Sequence, residues 1–195
     1  MLNKIKELRE LTNVSLAKCK AAIESSHGDI KEALVILQKQ GLTDSAKKAG
    51  CSASEGLIHS YIHGGKIGVM VEINCETDFL AKSDAFKEFA NAVVLQIASM
   101  NPEYITSDDV PIEFEAEQKD IFMGQLDEKM FQKPEVVRNK ILDGKYNKWL
   151  EVVCLMNQTS VLNSEKTIEQ LKADLVLKSG ENIVVKRFVR WELGK

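Results

Sequence analysis

The sequence predicts an α+β fold in which a small helical module precedes a larger core with an antiparallel sheet. Three observations lead to this prediction. Apolar residues recur at helical spacing over residues 1–41, they alternate with a period of two on both sides of a Gly-Gly pair, and they form a broad helical stripe over residues 86–97. We therefore divide the chain into residues 1–45, a linker of residues 46–55 and a core of residues 56–195.

The N-terminal module is predicted to contain three short helices. The first carries apolar residues on one face, and the second runs from near Ser15 to Glu24. Asp29 opens the third helix in a capping-box pattern with Glu32, and Gly41 is expected to end it in a left-handed conformation. A three-helix unit of this size has a thin core, resembles ubiquitin-associated modules and is typical of recognition units.

The core begins with a predicted β-hairpin. Gly64-Gly65 lies where a two-residue turn needs positive φ. The return strand places one set of apolar side chains on a buried face: Ile67, Val69, Val71 and Ile73. A long amphipathic helix follows and is expected to cover this sheet, until Asn101-Pro102 ends it.

The rest of the core is predicted to be helical with two further strands. Residues 103–148 read as charged helices, one of which begins at Pro134 and ends at Gly144. The β-prone runs are Leu150–Met156 and Ile183–Trp191, and a helix opened by Thr167 lies between them. These strands would complete the antiparallel sheet.

The composition excludes several classes of protein. The 195 residues carry a net charge of −3 and are 44% hydrophobic, which suits a folded domain and argues against general nucleic-acid binding. No apolar run reaches the roughly 18–20 residues that span a bilayer, and the N-terminus lacks a signal-peptide core. The four cysteines form no Cys-x-x-Cys pair, which argues against disulfides and zinc. We therefore expect a cytoplasmic protein without membrane contact.

The charges are distributed unevenly along the chain. Residues 1–20 carry five basic against two acidic residues, whereas residues 103–128 carry nine acidic residues against Lys119 alone. Two interpretations stay open: the asymmetry steers a charged protein partner, or the acidic stretch is a solvated helical face.

Residues that could perform chemistry are few. There is no G-x-S-x-G motif and no phosphate-binding loop spacing, so no catalytic or cofactor site is expected. One metal site is conceivable, because His59 and His63 share a strand face and Cys75 lies on the neighbouring strand. A second close pair of ligands is missing, which argues against it.

The segment Thr77-Asp78-Phe79 stands at the predicted junction of a strand and a helix, and two interpretations are open. In one, Phe79 is a core residue and Asp78 caps the helix. In the other, Phe79 is an exposed wedge that a rigid corner presents to a pocket of a partner protein.

Several segments, in this order along the chain, resemble the family of bacterial translation elongation factor Ts. The matching segments are Leu8-Arg9-Glu10-x-Thr12, Gly28-Asp29-Ile30, Gly41-Leu42 to Gly50, Gly56-Leu57-Ile58, Ile67-Gly68-Val69 to Lys82, and Gly180 to Phe188. Of these, Asn74-Cys75-Glu76-Thr77-Asp78-Phe79 is the most specific. The length resembles the short members of the family, which carry one copy of the core unit.

The resemblance implies a nucleotide exchange factor that performs no covalent chemistry and promotes GDP release from elongation factor Tu. Phe79 is then expected to enter a hydrophobic pocket of the GTPase domain, with Thr77 and Asp78 in the same contact, and to disturb the Mg²⁺ and phosphate site. The N-terminal module is expected to grip a helix of the partner through Lys6, Arg9, Leu16 and Lys20. His63, at the hairpin tip, matches a contact that longer members make from a second core copy.

The resemblance also implies a symmetric homodimer, in which the sheets of two copies of residues 56–195 pack together to rebuild a doubled core. One departure from the family lies in the turn after Thr12, where Lys18 replaces a residue that is usually acidic.

Three rival functions remain open. One is an adaptor in which residues 1–45 bind a protein unaided and the rest is scaffold. Another is an enzyme built around a metal held by His59, His63 and Cys75. The third is an RNA-associated protein that uses residues of the last strand: Lys186, Arg187, Phe188, Arg190 and Trp191.

Overall fold

The computed structural model describes residues 1–126, 128–131 and 133–195 and has the predicted α+β fold. Three helices form the N-terminal module: α1 (Leu2–Thr12), α2 (Leu16–Ser25) and α3 (Ile30–Lys48). Asn13 ends α1 with a φ of 55° and Ser15 caps α2. Asp29 caps α3 as predicted, because its side chain accepts from the N–H groups of Lys31 and Glu32.

The prediction that Gly41 ends the third helix was wrong. Helix α3 continues through this glycine to Lys48, so the first residues of the expected linker are helical. Gly41 is buried and lies against α9 (Ile168–Ser179), where an added Cβ would stand 3.0 Å from the carbonyl oxygen of Ala173. The glycine therefore allows two helices to approach closely, which is a common use of this residue inside a helix.

Three strands form one antiparallel sheet in the order β1 (Glu55–His63), β2 (Ile67–Cys75) and β3 (Ile183–Glu192). Gly64 and Gly65 both have positive φ, as predicted. His63 pairs with Ile67, however, so the loop contains three residues and not two. The predicted inward face of β2 is confirmed, since Val69, Val71 and Ile73 are buried.

The covered face of the sheet packs against α5 (Asp84–Met100), the predicted amphipathic helix. Asn101 ends α5 in the left-handed region, as expected. The predicted capping box of Thr167 and Gln170 opens α9, and Gly180 ends that helix with a φ of 74°. The main core lies between the sheet, α5 and α9.

Between α5 and α9 the chain forms a mostly helical segment with α6 (Ile112–Gly124), α7 (Glu128–Phe131) and α8 (Glu135–Val153). Two 3₁₀ turns, Ser107–Asp109 and Leu155–Asn157, flank it. Residues 127 and 132 of this predicted helical stretch lie outside the described residues. Among the helices that the structure describes, none combines the length and apolarity needed to cross a membrane.

Two predictions in this segment were wrong. Gly144 does not end the helix that begins after Pro134, because α8 continues to Val153. The β-prone run from residue 150 is the end of α8 and a 3₁₀ turn, with a single bridge between Tyr104 and Cys154. Leu150, Val153 and Cys154 are buried together, and their i, i+3, i+4 spacing fits a helix.

The N-terminal module is attached to the core by packing and by polar contacts. Leu177 of α9 belongs to the hydrophobic cluster of the module. Lys18, the departure from the family pattern, lies 3.0 Å from Asp44 and also donates to the carbonyl of Leu177 at 3.3 Å. At the end of α3, Lys48 donates to Glu76 at 3.0 Å. The core of the module therefore extends onto α9 through Leu177.

Substitution of Gly41 should separate steric fit from helix propensity. Gly144→Ala, in α8, meets no atom within 4 Å and should raise the free energy of unfolding by about 0.5–1 kcal/mol. Gly41→Ala gains the same propensity but pushes against the backbone of α9, and should lower the free energy of unfolding by about 1 kcal/mol. Urea denaturation of both variants measures this. Equal stabilisation by the two alanines would contradict the close approach of α3 and α9.

The contact of Glu76 should make stability depend on pH. The hydrogen bond from the Asn182 N–H, followed by the one from Lys48, holds the pKa of Glu76 below its usual range. A lowered pKa in the folded state stabilises the protein above the ordinary pKa of about 4.3, and this contribution is lost as the pH falls through the lowered value. Glu76→Gln should therefore unfold at a lower temperature than the wild type at pH 7, and the gap should narrow toward pH 3. A difference in unfolding temperature that is constant from pH 7 to pH 3 would contradict a lowered pKa of Glu76 in the folded state.

Candidate functional site

Phe79 lies at a sharp corner between β2 and a short helix, α4 (Asp78–Lys82), and its side chain is 82% exposed. The interpretation of Phe79 as a core residue is therefore wrong. Asp78 does not cap α4 either, because Thr77 holds that position and its hydroxyl accepts from the N–H of Leu80 at 3.3 Å. The ring is therefore available for contact with another molecule, which makes this corner a candidate contact site.

The residues that precede Phe79 hold the corner through polar contacts. Asn74 donates from its side chain to the carbonyl of Glu55 at 3.3 Å, and the thiol of Cys75 donates to the carbonyl of Thr77 at 3.1 Å. Burial raises the pKa of the Cys75 thiol, with a smaller effect from the charge of Glu181, so the thiol keeps its proton. Each of these bonds restrains the backbone just before the aromatic ring.

The strongest restraint comes from a loop that is distant in the sequence. The carboxylate of Glu181, in the turn between α9 and β3, accepts from the Thr77 N–H at 2.9 Å and from the Thr77 hydroxyl at 2.7 Å. Its neighbour Asn182 donates from its backbone N–H to Glu76 at 2.7 Å and from its side chain to the carbonyl of Cys51 at 2.8 Å. The corner is thus tied to the turn before β3 and, through Asn182, to the segment that follows α3.

These supporting residues were missing from the sequence-based set of site residues. Glu181 and Asn182 occur in the segment from Gly180 to Phe188 that carries the resemblance, and Lys48 occurs in another matching segment. Their occurrence in these matching segments is the one feature of the sequence that could have pointed to them. Only the fold brings them to the corner, because Glu181 is separated from Thr77 by 104 residues.

Asp78 lies beside the exposed ring and pairs with Lys82 one helical turn later, at 2.6 Å. The hydrogen bond from Lys82 holds the pKa of the Asp78 carboxyl below its usual range. The corner therefore presents an apolar ring next to a carboxylate that stays ionised at neutral pH.

The N-terminal residues named from the sequence lie together on the module. Lys6 and Arg9 of α1 and Leu16 and Lys20 of α2 are all exposed, and all four line one groove of about 690 Å³. Its floor includes Ile5, and its remaining walls are Met1, Leu2, Glu10 and Asn13. An apolar channel with basic side chains at its edges suits an amphipathic helix with acidic residues along its margins.

His63 lies at the tip of the β1–β2 hairpin, with its Nδ1 2.9 Å from the hydroxyl of Tyr61. Cys75, just before the corner, pairs with Glu55 at the opposite end of the hairpin. Eight residues of strand separate the two ends, or about 26 Å. The structure therefore does not bring His63 to Phe79, and it does not assemble His59, His63 and Cys75 into a metal site. No cluster of three potential ligands that suits a metal occurs within residues 1–126, 128–131 and 133–195.

The basic residues of β3 do not form a continuous positive surface. Arg187 pairs with Glu72 at 2.7 Å, and Arg190 pairs with Glu192 at 2.8 Å. Phe188 is partly buried against the main core, on the opposite face from Trp191 and Arg187. This arrangement weakens the case for RNA binding, which needs unpaired cations.

The outer face of the sheet carries a second exposed apolar surface. Its large exposed side chains come from all three strands: Ile58, Ile62, Met70, Val189 and Trp191. A sheet with one free face normally presents polar residues there. We call this the outer sheet face.

Comparison with known proteins agrees with these features. The model of the family described as Elongation factor TS matches residues 1–195. The protein named elongation factor Ts of Carboxydothermus hydrogenoformans is 46% identical over 193 residues, covering 98% of this chain and 88% of the relative. Proteins of the same name from Thermodesulfovibrio yellowstonii and Thermotoga neapolitana are each 44% identical over 98% of this chain, covering 94% and 95% of their own lengths. The resemblance inferred from the motifs is confirmed: this chain belongs to the elongation factor Ts family.

Proposed function

We propose that this protein is the guanine-nucleotide exchange factor of elongation factor Tu and that it acts by binding, without covalent chemistry. Family membership across the whole chain supports the partner and the activity. The observation that carries the mechanism is the exposed ring of Phe79 on a corner that polar contacts hold in place. The ring enters an apolar pocket of the GTPase and displaces the elements that hold Mg²⁺ and the phosphates of GDP.

The free energies require more than one contact. Accelerating GDP release a thousandfold requires about 4 kcal/mol of barrier lowering. Burying one phenylalanine side chain contributes about 1.5–3 kcal/mol. Because coupling between two ligands is reciprocal, whatever loosens GDP is itself loosened by GDP. A second contact must therefore keep the factor bound while Phe79 acts.

The groove of the N-terminal module provides this second contact. Its basic margin, Lys6, Arg9 and Lys20, surrounds an apolar channel that includes Leu16. The groove binds a helix on the nucleotide-binding side of the GTPase. Since α3 is packed on α9 and Lys48 contacts Glu76, the groove and the corner belong to one connected structure. When the GTPase binds at the groove, the effective concentration of the corner at its own binding site rises, and the reverse also holds.

Asp78 restricts how the partner approaches Phe79. Its carboxylate stands next to the ring and is held by Lys82. A partner surface that receives the ring must therefore offer a hydrogen-bond donor or a cation beside its apolar pocket. This makes binding more specific, since a pocket without a donor or cation beside it would leave the Asp78 carboxylate desolvated and unpaired.

The protein also forms a symmetric homodimer through the outer sheet face. This face exposes Ile62, Trp191 and three further large apolar residues, which is more than a solvated sheet face normally carries. Packing the outer sheet faces of two copies around a two-fold axis covers both at once and gives a doubled core. The corner that carries Phe79 lies at one end of the sheet, and the hairpin tip lies at the other.

Phe79→Ala should slow GDP release strongly while leaving the fold intact. The side chain is exposed, so its loss removes no core packing, but it removes about 1.5–3 kcal/mol of partner contact. We expect the exchange rate to fall by about 10- to 100-fold, measured as release of labelled GDP from elongation factor Tu. Phe114→Ala, at another exposed phenylalanine, is the matched control and should exchange normally. A normal rate for Phe79→Ala, or a lowered melting temperature, would sink the wedge mechanism.

Ile62→Lys should convert the dimer to a monomer. The substitution places a charge in the outer sheet face, which is desolvated when two copies pack. Sedimentation equilibrium should give twice the chain mass for the wild type and the mass of a single chain for the variant. Ile112→Lys, at an exposed isoleucine of α6, is the control and should stay dimeric. A wild type that is monomeric at all concentrations would exclude the dimer.

A further inference from the structure

The direction of the Phe79 ring is set by the backbone of α4 and not by packing of the ring. Helix α4 has only five residues, and a helix of that length is not stable by itself in water. Because its side chain is 82% exposed, packing contributes little to the orientation of the ring. Whatever fixes the first turn of α4 therefore decides where Phe79 points.

The first turn of α4 is fixed through Thr77. The Thr77 hydroxyl accepts from the N–H of Leu80, which starts the helix, and donates to Glu181. A hydroxyl has one proton to donate. Because the Thr77 hydroxyl donates its proton in a hydrogen bond to the carboxylate, its oxygen lone pairs face the helix. The bond to Glu181 and the bond from Leu80 therefore strengthen one another. The carboxylate also accepts the backbone N–H of Thr77, so both oxygens hold the same residue.

Glu181 is itself held in place by its surroundings. Gly180 adopts the left-handed conformation that ends α9, and the N–H of Glu181 donates to the hydroxyl of Ser179 at 3.2 Å. The next residue, Asn182, is buried and bonded to Glu76 and Cys51. Within the described part of the chain Glu181 forms no ion pair with a lysine or arginine. Its carboxylate is thus committed to the two donors of Thr77.

We propose that Glu181 is a positioning residue for nucleotide exchange, which acts by holding Thr77 and thereby aiming Phe79. This inference rests on the proposed function. It assigns to the turn between α9 and β3 a part in exchange without contact with the GTPase. A positioning role differs from a purely stabilising one, because the effect of Glu181 on exchange then requires the ring of Phe79.

A double-mutant cycle between Glu181 and Phe79 tests this. Glu181→Gln preserves the size of the side chain but replaces one acceptor oxygen with an amide that cannot accept from Thr77. We expect GDP release from elongation factor Tu to slow about tenfold in this variant, which corresponds to about 1.4 kcal/mol. In a Phe79→Ala background the same substitution should have no further effect, since there is no ring to aim. No hydrogen bond joins Glu181 to Phe79 among the described residues, so this non-additivity indicates coupling through the corner.

Controls separate positioning from loss of structure. Glu169→Gln removes a carboxylate of α9 that pairs with Lys172 at 2.9 Å, and should exchange at the wild-type rate. Thermal unfolding of each variant identifies any chain that is not folded. If Glu181→Gln does not fold, the cycle is repeated with Thr77→Val, which replaces the hydroxyl with a methyl group and so removes the bond to Glu181 from that oxygen.

The outcomes are distinct. Loss of exchange in Glu181→Gln that vanishes in the Phe79→Ala background supports the inference. An unchanged rate in Glu181→Gln, or an equal tenfold loss in both backgrounds, overturns it while leaving the wedge mechanism intact. A normal rate in Phe79→Ala overturns the wedge mechanism, and the inference with it.

Discussion

A large apolar ring that must stay in water cannot hold itself in place. Most phenylalanines are fixed because they are packed in a core, and that packing sets their rotamer and the path of the backbone. Phe79 has no such support, so the corner that carries it depends on hydrogen bonds made by its neighbours. The polar contacts of Cys75, Glu76 and Thr77 meet this constraint, and they draw on the end of the N-terminal module and on the turn before β3.

The same constraint links the two surfaces proposed to bind the GTPase. A wedge contributes only part of the free energy needed to release GDP, so it has to act together with a second contact. Two contacts cooperate when the structure between them is stiff, because little entropy is then lost in placing the second. The packing of α3 on α9 at Gly41, the ion pair of Lys18 with Asp44, and the contact between Lys48 and Glu76 provide that stiffness.

The errors of the sequence-based prediction have a common physical cause. Gly41 and Gly144 fit the pattern of helix ends, yet both lie inside helices. A glycine costs a helix about 1 kcal/mol, which tertiary packing easily offsets. In α3 the absence of a side chain at Gly41 allows the close approach to α9. In α8 the burial of residues after Gly144 stabilises the continued helix. The run from residue 150 failed for the same reason, since short apolar segments fit a helix or a strand until the neighbouring elements decide.

The amino-acid sequence by itself determined the features that depend on local chemistry. These include the caps at Ser15, Asp29 and Thr167, the glycine turn of the hairpin, the buried face of β2 and the family. Each follows from residues that are close in the chain, where steric limits and hydrogen-bond geometry act directly. Only the tertiary structure decided that Phe79 is outside and which way it is held. An aromatic residue after a strand is compatible with a buried or an exposed position, and the corner that carries Phe79 is bonded at Thr77 to a carboxylate 104 residues further along the chain. Contacts of that separation form only when the sheet, α9 and the N-terminal module have come together.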